Sequence, residues 1–411
     1  MAELKQSGID WIGEIPNNWE TRQIRYLFSL RDERNYKPLN EVNLISVYTD
    51  KGVLQHADIE QTTGNKAQNA DGYKHVYKND LVVNIILCWM GALGISDYDG
   101  VTSPAYDVYA PNDLNKVFPK YYHYLFRTPQ FNGKCYTEGR GIMQMRWRTY
   151  SSEFKSIKIP LPPLAEQKRI ADFLDKKCSE IDSIIDEAKK SIEEYKAWKQ
   201  SVIFEAVTGK NLDCKKKDSG IEWIGDIPEN WNITKFKYTH SGTNVGESID
   251  KDFCTENEAD KLFYTAGLEP IHTTYKDFPN WKYTKEQDLL LARNGTPYVY
   301  LPLCNALYSD HIIRVTIKNN FCKNYICYAI QQSIRNIVVD TVSITTWSAS
   351  LWNNQFIPLP PLYEQKNITV YIQKKCSQID SLIAEKESLI ADLAEYKKSL
   401  IFEVVTGKRN V

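Results

Sequence analysis

The residues of this chain that most resemble a cofactor-binding motif are two Thr-Gly-Lys sequences, Thr208–Lys210 and Thr406–Lys408. They match the end of a phosphate-binding loop, but that loop needs another glycine five residues before its Gly-Lys pair. Neither copy has this glycine. Both copies end a long predicted helix, where glycine is a common cap and lysine complements the negative end of the helix dipole. The predicted role of both sequences is therefore helix capping.

Other fragments of catalytic or metal-binding motifs are equally incomplete. Gly139-Arg-Gly141 lacks the third glycine of a dinucleotide fingerprint and is predicted to be a turn. Pro162-Pro163 follows Leu161, whereas the motif of amino-methylating DNA enzymes has Asn before its two prolines. The nine cysteines include no Cys-x-x-Cys pair, and Cys322 and Cys327 lack suitably spaced histidines. We expect no catalytic, cofactor-binding or metal-binding residue and predict reduced thiols.

Positive and aromatic side chains cluster before residue 158 and suggest contact with nucleic acid. Glu138 and Glu153 are the only acids between residues 127 and 158, and Tyr136 and Trp147 lie among the cations. Cations neutralise phosphates, whereas amides and arginines can also reach base edges. A merely solvated basic face explains the charge equally well. The candidate contacts in this region are Lys134, Arg140, Gln144, Arg146, Arg148 and Lys155.

A hydroxyl-rich loop occupies the corresponding place in the second part of the chain. It runs from Ser343 to Trp352, just before a proline-rich segment. Its hydroxyl groups suit hydrogen bonds to a nucleic acid, although a surface turn with two buried tryptophans would have the same composition. The polar pair Arg293 and Asn294 follows a predicted strand and is added to the candidate contacts. The loop contributes Thr345, Thr346, Ser348 and Ser350.

The elements that position these residues are encoded twice. The box Ser7–Trp19 returns as Ser219–Trp231, and the proline-rich segment Ile159–Lys168 returns as Ile357–Lys366. Each proline-rich segment favours a helix start and precedes apolar residues repeating about every 3.5 residues, which indicates a coiled coil. Two helices of about 45 residues, each about 65 Å long, are predicted. Their expected seam comprises Leu174, Ile181, Ile184, Tyr195, Val202, Ile372, Ile379, Leu382, Leu393 and Leu400.

The regions between box and helix differ in sequence and are predicted to be mixed α/β. Strands are expected at 43–48, 80–87, 106–109, 287–292 and 311–317, and short helices at 118–126 and 324–336. The predicted fold class is α/β (mixed α+β), with two globular domains separated by a long antiparallel two-helix coiled coil and related by a pseudo-two-fold repeat. The predicted segments are a first domain at 1–158, a spacer helix at 159–210, a second domain at 211–356 and a distal helix at 357–411.

Bulk composition fits a soluble globular protein. The formal net charge is −1, so a nucleic-acid partner would have to be bound by local patches. The most apolar run, Leu81–Met90, is interrupted by Asn84 and is about half the length of a membrane span. The N-terminus shows no signal-peptide pattern. We expect a cytoplasmic protein without a membrane partner.

Three repeated sequences together resemble those of the specificity subunits of type I restriction-modification systems. They are the two boxes, the two Ile-Pro-Leu-Pro-Pro-Leu-x-Glu-Gln segments and the two Phe-Glu-x-Val-Thr-Gly-Lys helix ends. The resemblance spans the whole chain in the same order. It implies that each variable region is a target recognition domain that reads one half of a bipartite DNA site. It also implies that the helices hold the two halves apart.

The resemblance further implies a non-catalytic chain with double-stranded DNA as a partner. Two modification subunits would bring S-adenosylmethionine and methylate adenine, and restriction subunits would translocate and cleave the DNA. The boxes, the proline-rich segments and the long helices form a duplicated frame. Because only this frame can offer two equivalent surfaces to two identical subunits, we expect the partner contacts at the helix starts. The candidates are Leu164, Glu166, Gln167, Leu362, Glu364 and Gln365.

Two other functions fit parts of the sequence. A homodimeric coiled-coil scaffold would dimerise through Ile181, Ile184, Ile379 and Leu382 and would not retard DNA. A self-sufficient methyltransferase would bind S-adenosylmethionine alone, but the chain has no glycine-rich loop for this cofactor.

Overall fold

The structure, a computed structural model, describes residues 3–58, 69–141, 147–335 and 346–411. The chain forms two compact units. The first unit contains residues 1–189 and 387–411, and the second contains residues 190–386. Each long helix therefore contributes one part to each unit.

The first unit contains a mixed α/β domain. Its central sheet is antiparallel, with the order β4-β11-β8-β9, and smaller two-stranded ladders surround it. The strands are β1 (Leu4–Ile9), β2 (Gly13–Pro16), β3 (Glu20–Gln23), β4 (Phe28–Arg31), β5 (Ile45–Tyr48), β6 (Gly52–Gln55), β7 (Lys74–Val76), β8 (Leu81–Asn84), β9 (Leu93–Ile95), β10 (Gly100–Thr102), β11 (Tyr106–Pro111) and β12 (Lys158–Leu161). The helices are α1 (Pro119–Phe126), α2 (Pro129–Glu138), α3 (Ser151–Ser156) and α4 (Leu164–Thr208), which continues into the second unit.

The second unit repeats the central sheet in the order β16-β23-β20-β21 and has a further sheet, β17-β19-β18-β22. Its strands are β13 (Lys216–Asp218), β14 (Asp226–Pro228), β15 (Asn232–Lys235), β16 (His240–Val245), β17 (Cys254–Thr255), β18 (Lys261–Tyr264), β19 (Ile271–Thr273), β20 (Asp288–Ala292), β21 (Val299–Tyr300), β22 (Leu307–Tyr308), β23 (Ile312–Ile317) and β24 (Phe356–Leu359). Its helices are α5 (Lys323–Arg335), α6 (Ala349–Asn353) and α7 (Leu362–Val405), which continues into the first unit.

The predicted strands are present, but one is shorter than the apolar run suggested. Strand β8 ends at Asn84, and the Asn84 side-chain oxygen accepts hydrogen bonds from the backbone of Ile86 and Leu87 at 3.0 and 3.3 Å. An asparagine that bonds to the following backbone favours a turn over further pairing. The residues predicted to continue the strand to Leu87 instead form a turn at the end of this inner strand.

The long helices pair antiparallel within each unit. In the first unit Lys397 Nζ lies 2.7 Å from Asp182 Oδ1, and in the second Lys199 Nζ lies 2.7 Å from Asp380 Oδ1. Each ion pair joins an early part of one helix to a late part of the other. These pairs are largely exposed and add little stability by themselves, but they show which parts of the two helices lie side by side in each unit.

Burial corrects the predicted seam at two equivalent positions. Ile184 and Leu382 are 46% and 36% exposed, whereas the adjacent Ile185 and Ile383 are half-buried. Both sites carry two consecutive large apolar residues, so a 3.5-residue period alone does not decide which one faces the partner helix. The other predicted seam residues are buried at Leu174, Ile181, Val202, Ile372, Ile379 and Leu400 and half-buried at Tyr195 and Leu393.

Each box joins the end of one long helix to the start of the other. In the first unit the left-handed Gly407 ends α7 against Pro16 and Trp19, and Asn18 donates a 3.4 Å hydrogen bond to Glu166 of α4. The second unit repeats this arrangement: Gly209 ends α4 against Pro228 and Trp231, and both Asn230 and Trp231 donate to Glu364 of α7, at 2.8 and 2.6 Å. The Thr-Gly-Lys sequences are helix caps, as predicted.

Two glutamines predicted to contact a partner are instead internal. Gln167 is fully buried, accepts a hydrogen bond from Phe118 N at 2.8 Å and donates to Lys116 O and Pro162 O, both at 2.8 Å. Gln365 is 2% exposed and accepts from Cys322 N at 2.9 Å. Each glutamine thus ties a helix start to the adjacent domain. Neither side chain is accessible to another subunit, so these two partner-contact predictions are wrong.

Candidate nucleic-acid interface

The candidate contacts of the first domain lie where α2 ends and the segment before α3 returns. Arg140 and Arg148 are joined by two backbone hydrogen bonds of 2.9 and 3.1 Å. Trp147 stacks on Tyr136 of α2 at a centroid distance of 4.9 Å and donates from Nε1 to Tyr136 O at 3.0 Å. Gly139 makes this stacking possible, because a Cβ at that position would overlap the Trp147 ring. We call Tyr136, Arg140, Trp147 and Arg148 the first candidate surface.

Acidic neighbours reduce the positive charge of this surface. Lys134 Nζ lies 2.6 Å from Glu138 Oε1, and Arg140 pairs with Glu153. Arg148 is exposed, and no acid among the described residues forms an ion pair with it. Lys155 is half-buried on α3. The predicted contacts Gln144 and Arg146 lie outside the described residues.

The candidate contacts of the second domain also come together. Asn294, which follows β20, forms a backbone bridge with Thr346. Arg293 and Thr346 are exposed, and the Asn294 amide lies 2.7 Å from His311 Nδ1 at the start of β23. We call Arg293, Asn294, His311 and Thr346 the second candidate surface.

The hydroxyl-rich loop is only partly described, and two of its serines support α6. Ser348 caps α6 by accepting a 3.3 Å hydrogen bond from Leu351 N, and Ser350 Oγ accepts from Asn354 at 3.4 Å. Thr345 lies outside the described residues. Ser348 and Ser350 thus have local structural partners, whereas Thr346 belongs to the second candidate surface.

An equivalent backbone hydrogen bond joins two segments of the chain in each of the two units. Thr149 N donates to Ile85 O at 2.9 Å in the first unit, and Trp347 N donates to Arg293 O at 2.6 Å in the second. In both units this bond joins the loop after a central strand, β8 or β20, to the segment before a short helix. The side chains on these loops differ, since the first loop exposes the apolar Leu87 and Met90 and the second exposes Arg293.

Sequence reasoning missed His311 of the second candidate surface and the exposed Leu87 and Met90 on the loop after β8. His311 precedes an apolar strand, and the strand pairing that brings it to Asn294 is not readable from local sequence. Leu87 and Met90 belong to the most apolar run of the chain, which suggested burial. Asn84, an uncommon residue within a strand, was the signal that could have placed them in a loop.

Burial strongly affects one histidine of the first unit. It lowers the pKa of His123 on α1 to about 4, and Arg127 and Lys120 lower it further.

Within the described part of the chain no cluster of three or more His, Cys, Asp or Glu could hold a metal ion. The nine cysteines are free thiols. No helix in the described ranges is long and apolar enough to cross a membrane.

Comparison with known proteins relates the chain to one family. The family described as the type I restriction modification DNA specificity domain matches residues 16–194. The putative type I restriction enzyme MjaX specificity subunit of Methanocaldococcus jannaschii is 26% identical, over 97% of this chain and 96% of that protein. Nearly the whole chain is therefore similar to a type I specificity subunit, and residues 16–194 match that family's DNA specificity domain.

Solved structures share the fold of this chain. A chain from a study of complex assembly and conformational transition of the type I R-M system is 15% identical, with a TM-score of 0.73 over 96% of this chain and 99% of that chain. The HsdS subunit from Thermoanaerobacter tengcongensis is also 15% identical, with a TM-score of 0.53 over 96% of this chain and 98% of that one. The predicted fold class, two mixed α/β domains with a long two-helix coiled coil, is confirmed.

Proposed function

We propose that this chain recognises a bipartite, asymmetric DNA site, with one half read by each variable domain. The observation that carries the proposal is the shared hydrogen bond from Thr149 to Ile85 and from Trp347 to Arg293. It holds two loops in equivalent places while their exposed side chains differ. A duplicated frame with unlike side chains suits a reader of two different half-sites.

The two candidate surfaces offer the chemistry needed for such reading. Arg148 and Arg293 are exposed cations that can neutralise phosphates or approach guanine. Trp147 and Asn294 add an aromatic face and an amide. With a net charge of −1, the whole-chain field contributes little, so these local groups carry the attraction to DNA.

The proposed role of the helices is to hold the half-sites apart and to bind two modification subunits. Exposed apolar residues support the second role. Ile184 and Tyr396 are 46% and 47% exposed on the helix parts of the first unit, and their repeat equivalents Leu382 and Trp198 are 36% and 46% exposed in the second. Helix positions beside a coiled-coil seam are usually charged. Two equivalent apolar pairs fit a partner that is present in two copies.

The chemistry of the complex would then reside on its other subunits. The modification subunits would carry S-adenosylmethionine and methylate the DNA, and restriction subunits would complete the assembly. In this proposal the chain itself is non-catalytic. Its contribution to the reaction is to choose the DNA sequence.

The salt dependence of DNA binding tests this proposal. Replacing Arg140 and Arg148 with Ala should weaken binding and lower the slope of log K against log salt, because each lost phosphate contact removes about 0.9 from the slope. Arg25→Ala, which removes an exposed arginine that lies between β3 and β4 and outside the first candidate surface, is the matched control. Titration of labelled duplex at several salt concentrations measures both quantities. If the slope is unchanged in the double variant, the first candidate surface does not contact DNA.

A homodimeric scaffold remains the second candidate, because the exposed apolar helix residues would also suit self-association. It requires dimers whose population rises with protein concentration and no retention of duplex DNA. Sedimentation with and without DNA distinguishes the two functions. A monomeric chain that binds duplex DNA would exclude the scaffold.

A further inference from the structure

Two loops of the second domain hold an asparagine amide in a fixed orientation. Arg293 N donates to His311 O at 2.8 Å, which fastens the loop after β20 to the start of β23. Asn294 Nδ2 lies 2.7 Å from His311 Nδ1, and His311 Nε2 lies 4.0 Å from Asp310 Oδ1. The backbone bridge between Asn294 and Thr346 holds the other side of the loop.

The Asn294 amide nitrogen decides the direction of its bond to His311, because Nδ2 of an asparagine donates hydrogens and does not accept them. A neutral imidazole carries one proton, and with the amide nitrogen at Nδ1 that proton lies on Nε2, the nitrogen that is 4.0 Å from Asp310 Oδ1. His311 Nδ1 is then an acceptor and receives a hydrogen from Asn294 Nδ2. The Asn294 amide therefore cannot turn over without losing this bond. His311 acts as a positioning residue for Asn294.

An amide held in this way presents one donor and one acceptor together. Among the residues that the structure describes, none accepts the second Nδ2 hydrogen and none donates to Asn294 Oδ1. In the major groove adenine offers the matching pair, an N6 donor beside an N7 acceptor, and asparagine bonds to both. Guanine presents two acceptors there and is better matched by arginine.

We propose that Asn294, oriented by His311, selects adenine at one position of the half-site read by the second domain. This inference rests on the proposed function. The first domain has no equivalent couple, because Ile86 and Ala105 occupy the corresponding positions after β8 and before β11. The selection therefore concerns one half-site only.

The test is selection from randomised duplexes by the full chain in complex with its modification subunits. Asn294→Asp leaves two acceptors and no donor, and a carboxylate accepts from cytosine N4. The expected result is a change from adenine to cytosine at one position, with roughly a tenfold or greater loss of adenine preference. All positions of the other half-site should stay unchanged.

His311→Ala tests the positioning role separately. Freed from its partner, the amide can rotate, so the adenine preference should fall while affinity for non-cognate duplex and its salt dependence stay the same. Asn319→Ala is the matched control, since this exposed asparagine lies beyond the other end of β23 and should leave every preference unchanged.

The outcomes separate this inference from the proposed function. A wild-type complex that selects no bipartite site would overturn both. A bipartite site whose base preferences survive Asn294→Asp would overturn the role of Asn294 alone. An equal loss of affinity for all sequences in that variant would also overturn it, because base selection cannot produce a uniform loss.

Discussion

Replacing Gly407 with Ala should destabilise the first unit more than the same change at another left-handed glycine. Gly407 has a φ of +73°, and an added Cβ would overlap the Pro16 ring and lie 3.1 Å from Trp19 Cη2. Gly8 in the same unit has a φ of +67° with nothing within 4 Å of the added atom. The two substitutions therefore share a backbone cost and differ in the crowding that they create.

The expected magnitudes follow from these two terms. The left-handed conformation costs an Ala about 1–2 kcal/mol relative to Gly at either site. Crowding of a packed contact adds about 1–3 kcal/mol at Gly407 alone. Gly407→Ala should thus lower the free energy of unfolding by about 2–5 kcal/mol, and Gly8→Ala by about 1–2 kcal/mol.

Urea unfolding monitored by tryptophan fluorescence measures both variants, because Trp19 is fully buried at this contact. The second unit offers an independent repeat of the experiment. A Cβ on Gly209 would lie 2.6 Å from Pro228 Cδ, whereas one on Gly220 would have nothing within 4 Å. Equal destabilisation by Gly407→Ala and Gly8→Ala would refute the claim that the helix end is held tightly against the box.

Three further predictions concern acid stability, partner binding and spacing. Because burial lowers the pKa of His123 to about 4 from 6.5, the unfolded chain binds more protons between these values, and stability is lost as the pH falls through this range. The free energy of unfolding should fall by about 2 kcal/mol between pH 7.5 and pH 5, and by much less in His123→Gln, as measured by urea unfolding at both pH values. Equal losses in the two proteins would contradict this prediction. Ile184→Glu should reduce co-purification of the modification subunit without changing the DNA bases selected. Glu187→Ala, at an exposed position on the same helix, should have no effect. Undiminished co-purification of the Ile184 variant would contradict the docking role. Adding seven residues to both long helices at facing positions preserves the 3.5-residue seam. This insertion should lengthen the non-specific spacer of the DNA site while both half-sites keep their bases. An active variant whose methylated sites keep the original spacer would contradict this prediction.

The frame was predictable from sequence because repetition and periodicity encode it directly. Prolines at the helix starts, Thr-Gly-Lys at the helix ends and apolar residues at regular spacing each have a local physical cause. The central strands were also readable, although β8 ended early at Asn84. The exposure of Ile184 and Leu382 was not readable, since each has an equally apolar neighbour and only tertiary packing decides between them.

The candidate surfaces were harder to predict because they depend on contacts between distant residues. Asn294 could be chosen as a polar residue after a strand, but its link to His311 arises from the pairing of β20 with β23. Gln167 and Gln365 were misassigned for a similar reason. Their repetition suggested a shared external partner, whereas the structure shows that the repeated partner is the adjacent domain of the same chain.

The most direct test of the central claim is genome-wide mapping of methylated adenine in cells that express this chain with its modification subunit. The account predicts one bipartite motif, with two different half-sites separated by a fixed number of unspecified bases. Exchanging residues 232–356 for the matching region of another specificity subunit should change one half-site and preserve the other. Methylation at a single contiguous motif, or a change in both halves after the exchange, would contradict the account.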